Sequence, residues 1–211
     1  MKLIKDCTLI GIEGVEEKVP QFLRAADICQ HYIKFTEVKL LSPYELNRPE
    51  HQKIKKLSSV ADYCKFVIKE LYKYIDTKYL ILFQNDGWIL NPDAWEDTFL
   101  NYDYIGAPWA WEKHSCGNGG FTLRTKALME ECSKIITDEY HPEDVIICVK
   151  YKSQLESKGF KFAPKNIAER FSLEQNHEYN EPWNGQFGFH DIKITDISGW
   201  CPPKLEGYKD E

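Results

Sequence analysis

No C-x-x-C pair occurs in this sequence, although seven cysteines are spread over its 211 residues. Cysteine-based zinc sites usually draw their ligands in such closely spaced pairs, so a zinc site of this kind is not indicated. An odd, dispersed set of cysteines is also unlike a disulfide framework and is typical of a reducing compartment. We therefore expect a cytoplasmic protein in which most cysteines are small core residues.

Long runs of one charge and long apolar runs are missing as well. The formal net charge is −6, whereas a nucleic-acid-binding protein needs a basic surface, so we expect no nucleic-acid partner. No apolar run approaches the roughly 20 residues of a transmembrane helix, and the N-terminus has no signal-peptide core. The sequence therefore predicts no integral membrane segment. The length of the chain predicts a single domain over residues 1–211.

The common glycine-rich phosphate loops are also absent. The segment Gly117-Asn118-Gly119-Gly120 does not follow the G-x-G-x-x-G pattern and lacks the lysine of a Walker loop. Because three of its four residues have no side chain, its backbone is able to approach a ligand closely. An ordinary tight loop explains the same residues equally well.

What the chain does contain is an alternation of short apolar runs and segments with helical periodicity. Ser59 and Asp62, for example, form a capping pair at the start of a periodic helix. The predicted strands are residues 7–12, 36–41, 79–83, 104–107 and 121–123, and the predicted helices start near Pro20, at Val60 and at Pro92 or span 126–136 and 142–157. The alternation predicts the α/β class. Residues 42–56 are expected to form a loop, and the tail from about residue 172 is expected to be irregular.

The most informative segment is Gln84-Asn85-Asp86-Gly87, because it follows the apolar run Tyr79–Phe83. Such a run is typical of a strand buried on both faces of a parallel sheet. Ligands of open α/β sheets bind beyond the carboxyl ends of the strands. Asp86 is therefore well placed to hold a divalent cation against the phosphates of a nucleotide. The alternative is a simple Asp-Gly surface turn.

Two later segments carry further candidate groups. Pro142-Glu143-Asp144 opens a helix, where the helix dipole favours acidic residues; the functional alternative is a general base that takes a proton from an attacking hydroxyl. His190 follows two aromatic residues and a glycine. A single histidine is more often structural than a ligand, but neutral imidazole binds manganese or zinc well.

Aromatic residues make up 14% of the chain, with six Trp and twelve Tyr. Aromatic rings fill cores, and they also stack against sugar and base rings. Trp109 and Trp111 are candidates for an acceptor platform, although core packing suits at least one of them.

Taken together, the motifs resemble domain-of-unknown-function family 5672, whose members are regarded as GT-A-type glycosyltransferases, distantly similar to inverting galactosyltransferases. The resemblance covers about residues 63–190 and rests on the blocks Gln84-x-Asp86-Gly87, Tyr102-Asp103-Tyr104-Ile105-Gly106-Ala107-Pro108-Trp109, Gly117-Asn118-Gly119-Gly120-Phe121, Pro142-Glu143-Asp144, Phe162-Ala163-Pro164, Ala168-x-x-Phe171-Ser172-x-Glu174 and Phe187-Gly188-Phe189-His190. It implies a GT-A-like, Rossmann-related fold in which helices flank a mixed, mostly parallel sheet.

The resemblance also implies a metal site. Asp86 matches the last Asp of the D-x-D motif, which bridges Mn²⁺ or Mg²⁺ and the diphosphate of a nucleotide sugar. His190 matches a C-terminal histidine that completes the site. Gln84 stands where the first Asp of the motif belongs, and Asn85 where the family often has an aromatic residue or Thr. A site with one carboxylate is expected to bind metal more weakly.

Further roles concern the sugars. Gly119 and Gly120 match glycines that line the donor sugar and the acceptor. Asp144 stands where inverting enzymes keep their acceptor base, and Glu143 is implied to contact sugar hydroxyls. The remaining candidates are Trp109, Asn118 and Phe121 for the substrate, and Ile10, Gly11, Ile12, Glu13, Tyr63 and Asn85 for the base and ribose of the donor.

These expectations combine into one function. The chain is predicted to be a metal-assisted glycosyltransferase that moves a sugar from a UDP-sugar to a hydroxyl of a glycan or other biomolecule, with inversion. The first alternative is a metal-dependent nucleotidyl- or phosphotransferase. The second is a carbohydrate-binding module on a transferase scaffold that has lost its activity.

Overall fold

A six-stranded sheet in the order β3-β2-β1-β4-β6-β5 organises the chain. The computed structural model describes residues 2–109, 116–174, 183–191 and 203–205. The sheet strands are β1 (Lys2–Ile12), β2 (Ile33–Ser42), β3 (His51–Lys53), β4 (Tyr79–Phe83), β5 (Tyr104–Ile105) and β6 (Phe121–Thr125). Strands β1, β2, β3 and β4 run parallel to one another, whereas β6 is antiparallel to both β4 and β5. The predicted α/β class with a mostly parallel sheet is confirmed.

Helices cover the sheet, and a second small sheet follows them. The α-helices are α1 (Val19–Tyr32), α2 (Val60–Lys69), α3 (Lys126–Cys132), α4 (Glu143–Val145), α5 (Lys152–Ser157) and α6 (Lys165–Phe171). Four 3₁₀ turns lie at Glu16–Lys18, Leu71–Tyr74, Pro92–Ala94 and Asp97–Asn101. The second sheet pairs β7 (Ser172–Glu174) with β8 (Gly188–His190) in parallel.

Strand β4 is buried on both faces, as its apolar run predicts. Ile81 and Phe83 pack into the larger of two hydrophobic clusters, on the side of α1, where the Phe83 ring stacks on Phe22 at 5.3 Å between centroids. Leu80 and Leu82 pack into the other cluster, on the side of α2. Because side chains alternate along a strand, one short run supplies both cores.

The helix starts follow the predicted capping chemistry. The Ser59 side chain accepts a hydrogen bond from the backbone N–H of Asp62 at 3.1 Å, and Pro20 lies in the first turn of α1. Helix α2 ends at Lys69, earlier than its apolar periodicity suggests. Leu71 and Ile75 lie in and after the 3₁₀ turn that follows, yet both remain fully buried in the α2-side cluster. The apolar pattern therefore predicts correctly which residues are buried, but it overestimates the length of the helix.

Several predicted elements are wrong in their extent. The strand predicted over 104–107 ends at Ile105, and the helix predicted to start at Pro92 is a short 3₁₀ turn. The expected loop over residues 42–56 contains β3, a polar edge strand that has no apolar alternation because its side chains are exposed or half-buried. The helix predicted over 126–136 ends at Cys132. The helix predicted over 142–157 is divided by a π turn at Ile146–Lys150 into α4 and α5.

The region from residue 172 is not irregular throughout, because it contributes β7 and β8. Their pairing joins segments far apart in the sequence, and no local pattern signals it. Helix α6 just before β7 was also not predicted. These three elements carry the C-terminal part of the candidate site.

The six cysteines in the described part of the chain are all buried, and no disulfide joins them; Cys201 lies outside it. Among the described residues no helix has the length and apolar character needed to cross a bilayer.

Candidate functional site

The strand order brings three chain segments to one edge of the sheet. Strands β1 and β4 are parallel neighbours, so the residues after Ile12 and after Phe83 leave the sheet on the same side. Strand β6 is antiparallel to β4, with Phe121 opposite Phe83. The glycines that precede β6 therefore lie beside the acidic segment that follows β4.

Strand β8 adds the histidine to this edge. The backbone N–H of Phe189 donates to the carbonyl of Trp88 at 3.2 Å, and that of Asp191 donates to the carbonyl of Asp86 at 3.0 Å. These backbone contacts align residues 188–191 with residues 86–89. They place His190 against Asp86 although about a hundred residues separate the two, as the sequence predicts.

His190 lies between two carboxylates. Its Nε2 is 3.4 Å from Asp86 Oδ1, and its Nδ1 is 3.9 Å from Glu174 Oε1. Burial disfavours the imidazolium, but the two carboxylates outweigh burial and raise the pKa of His190 to about 9. Burial also acts against the carboxylate of Asp86, whereas His190 lowers the pKa of that group below its usual value. The pair is mutually stabilised in its charged form.

Gln84 fixes the other side of the imidazole. Its Oε1 is 3.1 Å from His190 Nε2, and its Nε2 donates to the hydroxyl of Tyr63 at 2.9 Å. Gln84 stands where the D-x-D motif has its first Asp, so an uncharged amide oxygen faces His190 at this position.

Once the His190 imidazolium gives up its proton, which metal binding requires, the donor set of Asp86 and His190 fits a divalent ion. Asp86 Oδ1 is buried and accepts no hydrogen bond within the described residues, and His190 Nε2 faces it without hydrogen-bond alignment. Two ligands about 2.1 Å from one ion are roughly 3.0–3.4 Å apart, close to the 3.4 Å found here. Mn²⁺ accepts both carboxylate oxygen and imidazole nitrogen. No group of three or more His, Cys, Asp and Glu side chains in the described part of the chain is arranged for a metal, so any ion there has few protein ligands.

Gly119 and Gly120 permit close packing at the centre of the site. A Cβ on Gly120 would lie 2.0 Å from Cδ2 of His190, and a Cβ on Gly119 would lie 2.2 Å from Oε1 of Glu143. Any side chain at either position would displace a functional group. The two glycines are therefore required by packing, whatever they contact in a ligand.

Asp144 is held beside this glycine pair. Its Oδ2 accepts a hydrogen bond from the backbone N–H of Gly119 at 2.9 Å, and its Oδ1 accepts one from Val145 at 2.8 Å. Burial and the neighbouring charge of Glu143 raise the pKa of Asp144 to about 7. A carboxylate poised near neutral pH has the basicity expected of a general base.

Glu143 has a different environment from the one predicted. It is buried and forms an ion pair at 2.9 Å with Arg124, which is completely buried. A buried guanidinium needs a counter-charge, and Glu143 provides it. Instead of the predicted contact with sugar hydroxyls, the Glu143 carboxylate forms this ion pair. The ion pair lies next to Gly119 and Asp144 and supports them.

A cavity of about 360 Å³, the β1 pocket, opens beyond the end of β1. It is lined by Ile12, Glu13, Gly14, Val15, Lys18, Leu57, Ser58, Ser59, Val60, Tyr63, Gln84 and Asn85. Glu13 Oε2 accepts a hydrogen bond from Asn85 at 2.8 Å, and burial raises the pKa of the Glu13 carboxyl. Ile12, Glu13, Tyr63 and Asn85 thus lie where the sequence predicts a pocket.

Ile10 and Gly11, predicted in the same pocket, face the core instead. Ile10 is completely buried in the α2-side cluster. A Cβ on Gly11 would lie 2.4 Å from the Phe22 ring and 2.5 Å from the Phe83 ring, so this glycine accommodates their stacking. Both faces of β1 are covered at these two positions, so only the end of the strand, from Ile12 onward, reaches the pocket.

Two predicted substrate residues also belong to the core. Phe121 is fully buried and stacks on Phe171 at 5.6 Å, and Trp109 is 9% exposed and lies over Gly117. Asn118 remains at the site, because it donates a short hydrogen bond to Glu174 and accepts one from Gly120. Trp111 lies outside the described residues.

Sequence reasoning assigned no role to Glu174 or Gln84. Glu174 follows an unpredicted helix and belongs to an unpredicted strand, so the only sequence signal for it is its place in the motif block that ends at Glu174. Gln84 was noted as a departure from the D-x-D motif, although the structure makes it a direct neighbour of His190.

Two solved structures with similar folds are glycosyltransferases. A glycosyltransferase involved in the glycosylation of the major capsid of PBCV-1 is 11% identical, with a TM-score of 0.50 over 87% of this chain and 91% of that one. An active-site mutant of LgtC is 11% identical, with a TM-score of 0.50 over 87% of this chain and 86% of that one. At these identities the likeness concerns the fold, which is glycosyltransferase-like.

A third structure, apo GlyE of Streptococcus pneumoniae TIGR4, is 10% identical with a TM-score of 0.47 over 90% of this chain. The chain spans about half of that protein, 55% of its length. A family model described as protein of unknown function (DUF5672) matches residues 48–190, and the chain belongs to this family. No curated protein sequence matches the chain.

Proposed function

We propose that this chain transfers a sugar from a nucleotide diphosphate-sugar, with UDP as the nucleotide, to a hydroxyl group of an acceptor. One observation carries the proposal: the Asp86–His190 pair lies between the β1 pocket and Asp144. Gln84 lines that pocket and contacts His190, while the glycine pair joins His190 to Asp144. This is the spatial order of nucleoside, diphosphate and acceptor in a transfer reaction.

The donor half of the site has the chemistry that a nucleotide sugar needs. The β1 pocket combines apolar side chains, such as Val15 and Leu57, with the hydrogen-bonded Glu13–Asn85 pair. Asp86 and His190 would hold a divalent ion, which when bound supplies Lewis-acid stabilisation of the leaving diphosphate. Lys18 is the cation that lines this pocket in the described part of the chain.

Asp144 accounts for the acceptor half. Backbone N–H groups of Gly119 and Val145 orient both of its oxygens, and its raised pKa makes it able to take the proton of an attacking hydroxyl. A single base on the acceptor side favours direct displacement with inversion at the sugar carbon.

Calorimetry with nucleotides tests this function. UDP in the presence of Mn²⁺ is expected to bind, and at a hundred times its dissociation constant it should stabilise the fold by about 2.7 kcal/mol. ATP is expected to bind more weakly. Good ATP binding without UDP binding would instead support a phosphotransferase, and tight binding without any slow release of UDP from UDP-sugars would support a carbohydrate-binding module.

The shared metal predicts mutual enhancement of binding. Mn²⁺ should tighten UDP binding, and by linkage UDP should tighten Mn²⁺ binding by the same factor. Asp86→Ala and His190→Ala are each expected to abolish this enhancement, as measured by titrating UDP with and without Mn²⁺. Asp138→Ala, at an exposed aspartate, is the control and should retain it. Unchanged enhancement in Asp86→Ala would exclude Asp86 as a metal ligand.

A further inference from the structure

A polar groove runs along α6 and β7 on the far side of His190 from the β1 pocket. This α6 groove consists of two cavities of about 250 and 400 Å³, which share Arg170, Asn184 and Gln186. Pockets of roughly 300–1,000 Å³ hold drug-sized ligands. The joined cavities therefore have room for more than one sugar ring.

Glu174 connects the groove to the candidate reaction site. It lines the smaller cavity, accepts a hydrogen bond from Asn118 and faces Nδ1 of His190. The β1 pocket meets the same imidazole through Gln84 at Nε2. The two ring nitrogens thus face residues that line two different cavities, and no described residue lines both cavities.

Ser172 marks the wall of the groove as a binding surface. Its residue is 1% exposed and lines the smaller cavity. Its Oγ is buried and has no hydrogen-bond partner within the described residues. A buried hydroxyl without a partner costs free energy, and rotation of the Ser172 side chain toward the groove would let a ligand hydroxyl supply the missing partner.

Both cations of the described groove lining are paired with carboxylates, and Asp93 and Glu174 make this lining acidic overall. Lys165 pairs with Glu169 at 3.1 Å, and Arg170 pairs with Glu96 at 2.7 Å. Asn166, Asn184 and Gln186 add amide groups to the lining. Amides, a hydroxyl and a carboxylate suit the hydroxyl groups of sugars, whereas nothing in the described lining presents an unbalanced positive charge for a phosphate or another acid.

From these observations we propose that the α6 groove binds the acceptor, and that this acceptor is a neutral saccharide of more than one unit. The inference rests on the proposed function and specifies its second substrate. Ser172 and Glu174 contact the sugar nearest the reaction site, and Asn184 and Gln186 contact the next one. Asn118 hydrogen-bonds both Glu174 and Gly120, and so it fixes the position of the acceptor-binding carboxylate relative to the glycine pair.

Saturation-transfer NMR with lactose, maltose and cellobiose tests the proposal on the full chain, with UDP and Mn²⁺ present and absent. At least one disaccharide is expected to bind, more tightly than its component monosaccharides and more tightly than a uronic-acid disaccharide, and UDP should not displace it. Ser172→Ala is expected to weaken binding about threefold to tenfold, the effect of one neutral hydrogen bond. This variant removes no hydrogen bond of the free protein, so its fold should be preserved.

Asn184→Trp, at an exposed position shared by both cavities, should block the groove and remove the saccharide signal. Asn101→Trp, at an exposed asparagine outside the groove, is the matched control and should bind as the wild type does. No disaccharide binding, binding that Asn184→Trp leaves intact, equal binding of the acidic sugar, or displacement by UDP would each overturn the proposal. UDP titration of the same samples reports separately on the donor site, so the groove can fail while the proposed transferase function stands.

Discussion

Replacement of Asp144 by asparagine is expected to lower the rate of sugar transfer by about 10²–10⁴-fold, the usual contribution of general acid–base catalysis. The amide keeps the size of the side chain and one acceptor oxygen for the Gly119 or Val145 N–H groups, but it has no basicity. Initial rates of product formation with saturating donor and acceptor measure the effect. UDP binding with Mn²⁺ should change little, because Asp144 lies on the acceptor side of the glycine pair.

The pH profile separates a base from a structural acid at this position. Burial and the charge of Glu143 raise the pKa of Asp144 to about 7, and only the deprotonated form accepts a proton. The wild-type rate should therefore rise about tenfold per pH unit below pH 7 and level off above it. The stability of the fold should change with pH in the opposite direction from the rate. The pKa of Asp144 is higher in the folded than in the unfolded protein, so its contribution to stability is fully present below the unfolded pKa and is lost as pH rises toward 7.

Asp138→Asn, at an exposed aspartate in the same region of the chain, is the control and should retain the wild-type rate and profile. Normal turnover in Asp144→Asn would show that the Asp144 carboxylate only stabilises the start of its helix. If Asp144→Asn lowers the rate strongly but the rate still rises with pH between pH 5 and pH 7, another group must titrate, and Asp144 is not the base.

The parts of the molecule that the sequence predicts are those with local signals. The run at β4 is apolar in every residue, and the segment after it is polar, so both the buried strand and Asp86 at its end were predicted correctly. The Ser59 cap is equally local. In each case the interaction that forms the element lies within a few residues, where periodicity and capping rules apply.

The parts that the sequence misses depend on distant partners. Strand β8 exists because β7 and the segment after β4 pair with it, and neither contact has a local pattern. The inward direction of Phe121 follows from its register opposite Phe83, which is known only when the strand order is known. The resemblance alone places Glu143 at sugar hydroxyls, and no local pattern signals its ion pair with the buried Arg124, 19 residues away in the sequence.

That ion pair gives the largest expected effect on stability. Arg124 is completely buried, lies 5.0 Å from the centroid of the Tyr104 ring and donates to Thr122 and Glu143. Burial alone would lower the pKa of Arg124, but the charge of Glu143 and its hydrogen bond help to keep the guanidinium ionised. Glu143→Leu should therefore leave an uncompensated buried charge and reduce the free energy of unfolding by about 3–5 kcal/mol.

Urea unfolding of three variants, Glu143→Leu, a double variant and Glu96→Leu, tests this expectation. The double variant Arg124→Met with Glu143→Leu should recover most of the lost stability, because apolar side chains of similar volume replace a buried ion pair at little cost. Glu96→Leu is the control: it breaks the half-exposed pair with Arg170 and should cost about 1 kcal/mol or less. A Glu143→Leu variant no less stable than Glu96→Leu would contradict the buried-charge argument. Glu143 raises the pKa of Asp144 and Arg124 lowers it, and the effect of Glu143 is the larger. The folded double variant, which lacks both charges, should therefore reach half of its maximal transfer rate below pH 7, which links the buried ion pair to the basicity of Asp144.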